Sequence, residues 1–76
     1  MKNWINDVVM EILTQNFPND KFYLKEKKEK IKNFNISETL NWIETNLDSS
    51  LKYQFCQKTN FTLEDLYYFH KIYLKF

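Results

Sequence analysis

The last third of the chain, TNFTLEDLYYFHKIYLKF, constrains the fold most, because it carries the clearest helix start in the sequence. Thr62 is a good N-cap, since its hydroxyl can accept a hydrogen bond from an otherwise unpaired backbone N–H. Asp65 lies three residues on, where its carboxylate can bond back to the cap. Phe61 and Leu66 have the spacing of a hydrophobic staple. These signals predict a helix from about residue 63 to the C-terminus.

This predicted helix is apolar around most of its circumference. At about 100° per residue, Leu63 and Tyr67 fall on one broad face with Leu66 and His70. The polar strip opposite is narrow and consists of Glu64, Lys71 and Lys75. A helix that is apolar nearly all round is usually buried, so we expect it to be the central helix of the domain.

Four further helices are predicted before it, over residues 4–17, 21–33, 37–47 and 49–58. Each follows a residue that can cap it. The first helix has Asn3 and the fourth has Asp48. The second has Asn19 or Asp20, and the third has either Asn35 with Glu38 or Ser37. The segments have apolar stripes at helical spacing, among them Ile36, Leu40, Ile43 and Leu47. Asn60 is expected to end the fourth helix in the left-handed region. The prediction is an all-α fold, with residues 1–76 as a single domain: a compact bundle of four to five short helices, C-terminal helix central.

The composition excludes several classes of function. The 76 residues include one Cys and one His, and Gly, Ala and Arg are absent. A structural zinc site needs four ligands, phosphate loops need Gly, and bidentate phosphate recognition needs Arg. His70 and Cys56 have no partner at a catalytic spacing. We therefore expect a protein that is not an enzyme, with no catalytic, cofactor or metal site.

A stripe of lysines marks the second predicted helix. Residues 21–35 contain six Lys and two Glu, a local charge of +4 in a chain of net charge +1. Four of the lysines recur on one face, namely Lys21, Lys25, Lys28 and Lys32. Such a stripe can follow a nucleic-acid backbone, although a solvated helix is the commoner explanation.

Large side chains outside the predicted stripes are candidates for partner contacts. Trp42 lies away from the stripe of its helix, where it either forms a binding hot spot or covers a neighbouring helix. The far side of the last helix adds Tyr68, Ile72 and Phe76. With the composition of an AT-rich genome, these features favour a small protein-binding regulator or inhibitor of phage or mobile-element origin, such as an anti-defence (anti-CRISPR) or immunity-type protein. Its partner could be a nucleoprotein complex.

The alternative function is a nucleic-acid-binding regulator that uses the lysine stripe or a helix-turn-helix within residues 51–69. The helix-turn-helix form is less favoured, because the chain is nearly neutral and its last helix is poor in basic residues. A homodimer through the back of the last helix is a third hypothesis. No apolar run is long enough to span a membrane and no signal-peptide cleavage site is evident, so we expect a cytoplasmic protein.

Overall fold

Five helices make up the part of the chain that the structure describes. The computed structural model describes residues 3–74, and their side chains through residue 72. The helices are α1 (Trp4–Asn16), α2 (Lys21–Ile31), α3 (Ile36–Asn46), α4 (Ser49–Lys58) and α5 (Leu63–Leu74). Strands are absent from these residues, which confirms the all-α prediction. The radius of gyration is 12.0 Å, close to the value of roughly 11 Å expected for a compact chain of this length.

Each helix begins at a side chain predicted to cap it. In every case a side-chain oxygen accepts a hydrogen bond from a backbone N–H in the first turn, which satisfies a donor that the helix leaves unpaired. The capping residues are Asn3, Asp20, Asn35, Asp48 and Thr62. The caps of α3 and α5 are reciprocal, because Glu38 and Asp65 also accept from the backbone N–H of their cap residues.

The helix ends differ from the prediction in small ways. The second helix ends at Ile31 instead of residue 33, and the third begins at Ile36 instead of residue 37. The expectation of a left-handed Asn60 is wrong, because no described residue has a positive φ. Instead, α4 ends in an extended Thr59, whose hydroxyl donates to the carbonyl of Phe55 at 2.9 Å. That bond satisfies one terminal carbonyl without a left-handed residue.

The core lies chiefly between α1, α3 and α4. Its buried apolar side chains are Ile5, Val9, Ile12, Leu13, Ile31, Leu40, Trp42, Ile43, Leu47, Leu51, Phe55 and Leu66. The predicted stripes supply most of them, although Ile36 is exposed at the first position of α3. The helix α1 packs against α2, α3 and α4, whereas α5 packs mainly against α3. The last helix thus packs on α3 and also contacts α4, and its buried Leu66 belongs to the core.

A small polar network joins the start of α1 to α3 and to the end of α2. Thr39 is the one buried polar residue among those described. Its hydroxyl lies 2.6 Å from Asn6 Oδ1, to which it donates, and it accepts from Asn3 Nδ2 at 3.1 Å. Asn6 Nδ2 donates in turn to the carbonyl of Ile31 at 2.7 Å. These bonds satisfy buried polar atoms that would otherwise destabilise the fold.

Within the described residues, no helix is both long and apolar enough to cross a membrane.

Candidate functional site

Among the described residues, α5 exposes more large apolar side chains than any other helix. Leu63, Tyr67 and Tyr68 are 50%, 55% and 60% exposed, and Lys71 is exposed beside them. We call these four residues the α5 face. The Lys71 ammonium lies 5.5 Å from the centre of the Tyr67 ring, a cation–π distance. Leu63, Tyr67 and Lys71 follow one another at four-residue spacing along the helix, and Tyr68 lies about 100° around the helix from Tyr67.

The helical angles predicted the residues of this face only in part. Tyr68 was expected on the far side of the helix and is exposed there. Leu63 and Tyr67 were expected on the core side, and that expectation is wrong. Because α5 lies at one side of the bundle and packs mainly on α3, only part of its apolar circumference is covered.

Ring contacts and hydrogen bonds hold α5 on the bundle from beneath. Leu66 is fully buried, and the Phe61 ring stacks on Phe55 and meets Phe69 edge to face, with ring centroids 6.0 and 6.2 Å apart. The Thr62–Asp65 cap fixes the first turn, through bonds of 3.1 and 2.9 Å. The α5 face is therefore attached to a fixed helix.

A polar contact between helices adds to this attachment. His70 Nδ1 lies 2.6 Å from Asn41 Oδ1, so the Nδ1–H tautomer donates a bond from α5 to α3. This contact gives His70 a structural partner. Cys56 is half-buried, and burial together with the nearby charge of Asp65 raises the pKa of its thiol. A raised pKa leaves less of the reactive thiolate at neutral pH.

Two of the other predicted partner contacts, Trp42 and Ile72, are less exposed than Tyr68. Trp42 is only 7% exposed and belongs to the core cluster, so it is not part of an accessible surface. It is covered because α3 packs against both α1 and α5, which buries a face wider than the predicted stripe. Ile72 is half-buried at the edge of the α5 face. Phe76 lies outside the described residues.

The four predicted lysines are all exposed; Lys21, Lys25 and Lys28 lie along one face of α2, and Lys32 follows its last residue on the same side. Lys32 pairs with Glu29 at 2.7 Å. The hydrogen bond and charge of Lys32, with smaller contributions from the charges of Lys25 and Lys28, lower the pKa of the Glu29 carboxyl. The stripe is thus solvated and partly neutralised on its own helix.

Phe22 is an exposed aromatic residue that the sequence interpretation did not select. It is 79% exposed, the highest value among the large apolar side chains described, and it lies beside Lys25, Glu26 and Glu29. Its helical angle could have identified it, because Phe22 falls almost opposite Leu24 and Ile31, which attach α2 to the core.

Within the described residues, no three His, Cys, Asp or Glu side chains converge as a metal site would require. Comparison of the chain with protein-family models, with curated proteins and with solved structures finds no match.

Proposed function

We propose that this chain is a small protein-binding regulator or inhibitor that acts by occupying the surface of a partner protein with its α5 face. The observation that carries the proposal is the exposure of three large side chains, Leu63, Tyr67 and Tyr68, within two turns of one helix. Apolar surface held in water is stabilised when a partner covers it, by about 25 cal/mol for each Å² buried.

The chemistry of the face suits binding to a protein. Tyrosine is enriched in interface hot spots, because it buries a large ring at a small cost in side-chain entropy and keeps a hydroxyl for hydrogen bonding. Lys71 supplies a charge at the edge of the rings, and Ile72 extends the apolar area beside Tyr68. A central group of rings with a polar edge is the usual anatomy of a protein interface.

The attachment of α5 supports the same proposal. Its capped first turn, the buried Leu66 and the His70–Asn41 bond hold the face in place before any partner arrives. Binding then orders fewer groups, which lowers the entropic cost of association.

The proposed biological setting is a phage or other mobile element. A short chain without Gly, Ala or Arg fits the coding bias of an AT-rich genome. A role in blocking a host defence complex, such as a CRISPR effector, or an immunity-type role, is the concrete form of regulator that we propose. Such proteins act in the host cytoplasm.

The test is a pull-down from the native host with three forms of the chain. The wild type is compared with a double variant, Tyr67→Asp and Tyr68→Asp, and with a matched control, Tyr53→Asp. Tyr53 is an equally exposed tyrosine on α4. We expect the wild type and the control to capture the same protein, with or without nuclease, and the double variant to lose it. Capture by the double variant at the wild-type level would refute the proposal.

A nucleic-acid-binding regulator is the second candidate, favoured by the exposure of Lys21, Lys25, Lys28 and Lys32 on one face of α2. This candidate predicts co-purifying nucleic acid, whose binding weakens steeply with salt. Its helix-turn-helix form has less support, because the described charged side chains that α5 exposes are Glu64 and Lys71, one of each sign. If neutralising the four lysines leaves the biological activity intact, the lysine-stripe form fails.

A second copy of the chain could also cover the α5 face. Light scattering over a dilution series distinguishes this homodimer from a complex with another protein. A monomer that is stable to dilution excludes the homodimer, whereas a dimer that the Tyr67→Asp, Tyr68→Asp variant disrupts replaces the proposed protein partner with a second copy.

A further inference from the structure

A shallow groove runs between α1 and α2, on a different side of α2 from Phe22. It has a volume of about 520 Å³ and continues into a smaller recess of about 180 Å³. Its lining combines an apolar floor with a lysine wall, formed by Met10, Leu24 and Ile31 and by Lys25, Lys28 and Lys32. We call this the α1–α2 groove. Three of the four lysines of the predicted stripe therefore lie along a groove instead of a flat helix surface.

The lysine wall carries positive charge that can pair with an acidic ligand. Among the described residues, neither Lys25 nor Lys28 forms an ion pair, although both lower the pKa of the neighbouring Glu29. Residues 21–35 carry a charge of +4 and the whole chain +1, so the rest of the chain carries 1 − 4 = −3. The positive charge of the molecule is thus concentrated on the helix that forms this wall.

We propose that the α1–α2 groove binds an acidic amphipathic segment of a partner protein. The apolar side chains of that segment lie on Met10 and Leu24, and its carboxylates face Lys25 and Lys28. Along α2, Lys28 lies about 4.5 Å beyond Lys25 and Lys32 about 10.5 Å beyond it, at 1.5 Å of rise per residue. A helix with carboxylates three or four and then seven residues apart matches these distances, because it has the same rise.

An acidic peptide fits this groove better than a nucleic acid does. A phosphate backbone has no apolar groups for the floor of Met10 and Leu24, whereas an amphipathic helix has a complete apolar stripe. The exposed Phe22 could stack a base, but the carboxylates of Glu26 and Glu29 lie beside it and repel phosphate. The groove therefore favours a ligand that carries apolar and acidic groups together.

The test is fluorescence anisotropy with a set of fluorescein-labelled peptides of about four helical turns. Each has leucines three and four residues apart with glutamates beside them, and the set varies the position of the glutamates. The same peptides with glutamine in place of glutamate, and a labelled single-stranded oligonucleotide, are the comparison ligands. Circular dichroism confirms that each protein variant is folded.

We expect at least one glutamate peptide to bind, and Lys25→Gln with Lys28→Gln to weaken its binding by about tenfold or more. The matched control is Lys30→Gln, because Lys30 is an exposed lysine of α2 that does not line the groove. It should leave the affinity within about twofold, because an exposed charge that does not contact the ligand contributes little.

Several results would overturn the proposal. One is that no peptide binds at about 1 mM, and another is that the glutamine peptides bind as tightly as the glutamate peptides. The proposal also fails if Lys30→Gln weakens binding as much as the Lys25→Gln, Lys28→Gln variant does, or if the oligonucleotide binds more tightly than the peptides through the same lysines. This groove is separate from the α5 face, so the Tyr67→Asp, Tyr68→Asp variant should bind the peptide like the wild type. The two proposals can therefore fail independently.

Discussion

The buried network around Thr39 makes a quantitative prediction for Thr39→Val. Valine has nearly the same shape as threonine, but it lacks the hydroxyl that bonds to Asn6 Oδ1 at 2.6 Å and to Asn3 Nδ2 at 3.1 Å. After the change, these two amide groups retain their contact with each other at 3.3 Å. Because buried polar atoms lose a partner, we expect the free energy of unfolding to fall by about 1–3 kcal/mol.

Urea denaturation followed by circular dichroism measures this loss. In a domain of this size, each kcal/mol also lowers the melting temperature by about 4–8 °C. The matched control is Thr45→Val, because Thr45 lies on the same helix, is exposed, and bonds only within that helix, to two backbone carbonyls and to the side-chain amide of Asn46. The control should stay within about 0.5 kcal/mol of the wild type. Equal losses in the two variants would refute the argument that the network stabilises the fold.

Three other perturbations have expected outcomes. Thr62→Ala removes the cap of α5 and should lower the free energy of unfolding by about 1 kcal/mol in the same urea assay, whereas an unchanged midpoint would show that the cap bond contributes nothing. The raised pKa of the Cys56 thiol should make its alkylation at neutral pH slower than that of a free cysteine peptide, and a faster reaction in mass spectrometry would contradict this cause. The pKa of Glu29 is lowered first by Lys32, so Lys32→Gln should raise it in a carboxyl NMR titration. Because this pKa is lower in the folded state, the ionised Glu29 carboxyl stabilises the fold at a pH above its unfolded pKa, and this stabilisation is lost as the pH falls through the folded pKa. A Glu29 pKa that Lys32→Gln leaves unchanged would contradict the pairing.

The local parts of the fold could be predicted from the sequence. An N-cap depends on residues three positions apart, so Asn35 with Glu38 and Thr62 with Asp65 could be identified without knowledge of the rest of the chain. The apolar stripe of α1 could be predicted for the same reason, because one helix face is set by a period of 3.6 residues.

The placement of the helices could not be predicted in the same way. The burial of Trp42 depends on α5 packing against α3, and the exposure of Leu63 and Tyr67 follows from the same packing. Periodicity shows which side chains share a face, but it does not show which neighbouring helix covers that face. For this reason the sequence placed Trp42 outside the apolar stripe of its helix and Tyr67 on the core side of α5, whereas Trp42 is buried and Tyr67 is exposed.

Site-specific photocrosslinking in the native host tests the central claim most directly. Tyr68 is replaced by p-benzoylphenylalanine in one form of the chain, and Tyr53 is replaced in a matched form. If the α5 face occupies the surface of a partner, the form labelled at Tyr68 will crosslink to one host or phage protein, and the form labelled at Tyr53 will not. Equal crosslinking from the two positions, or crosslinking from Tyr68 only to nucleic acid, would contradict the claim.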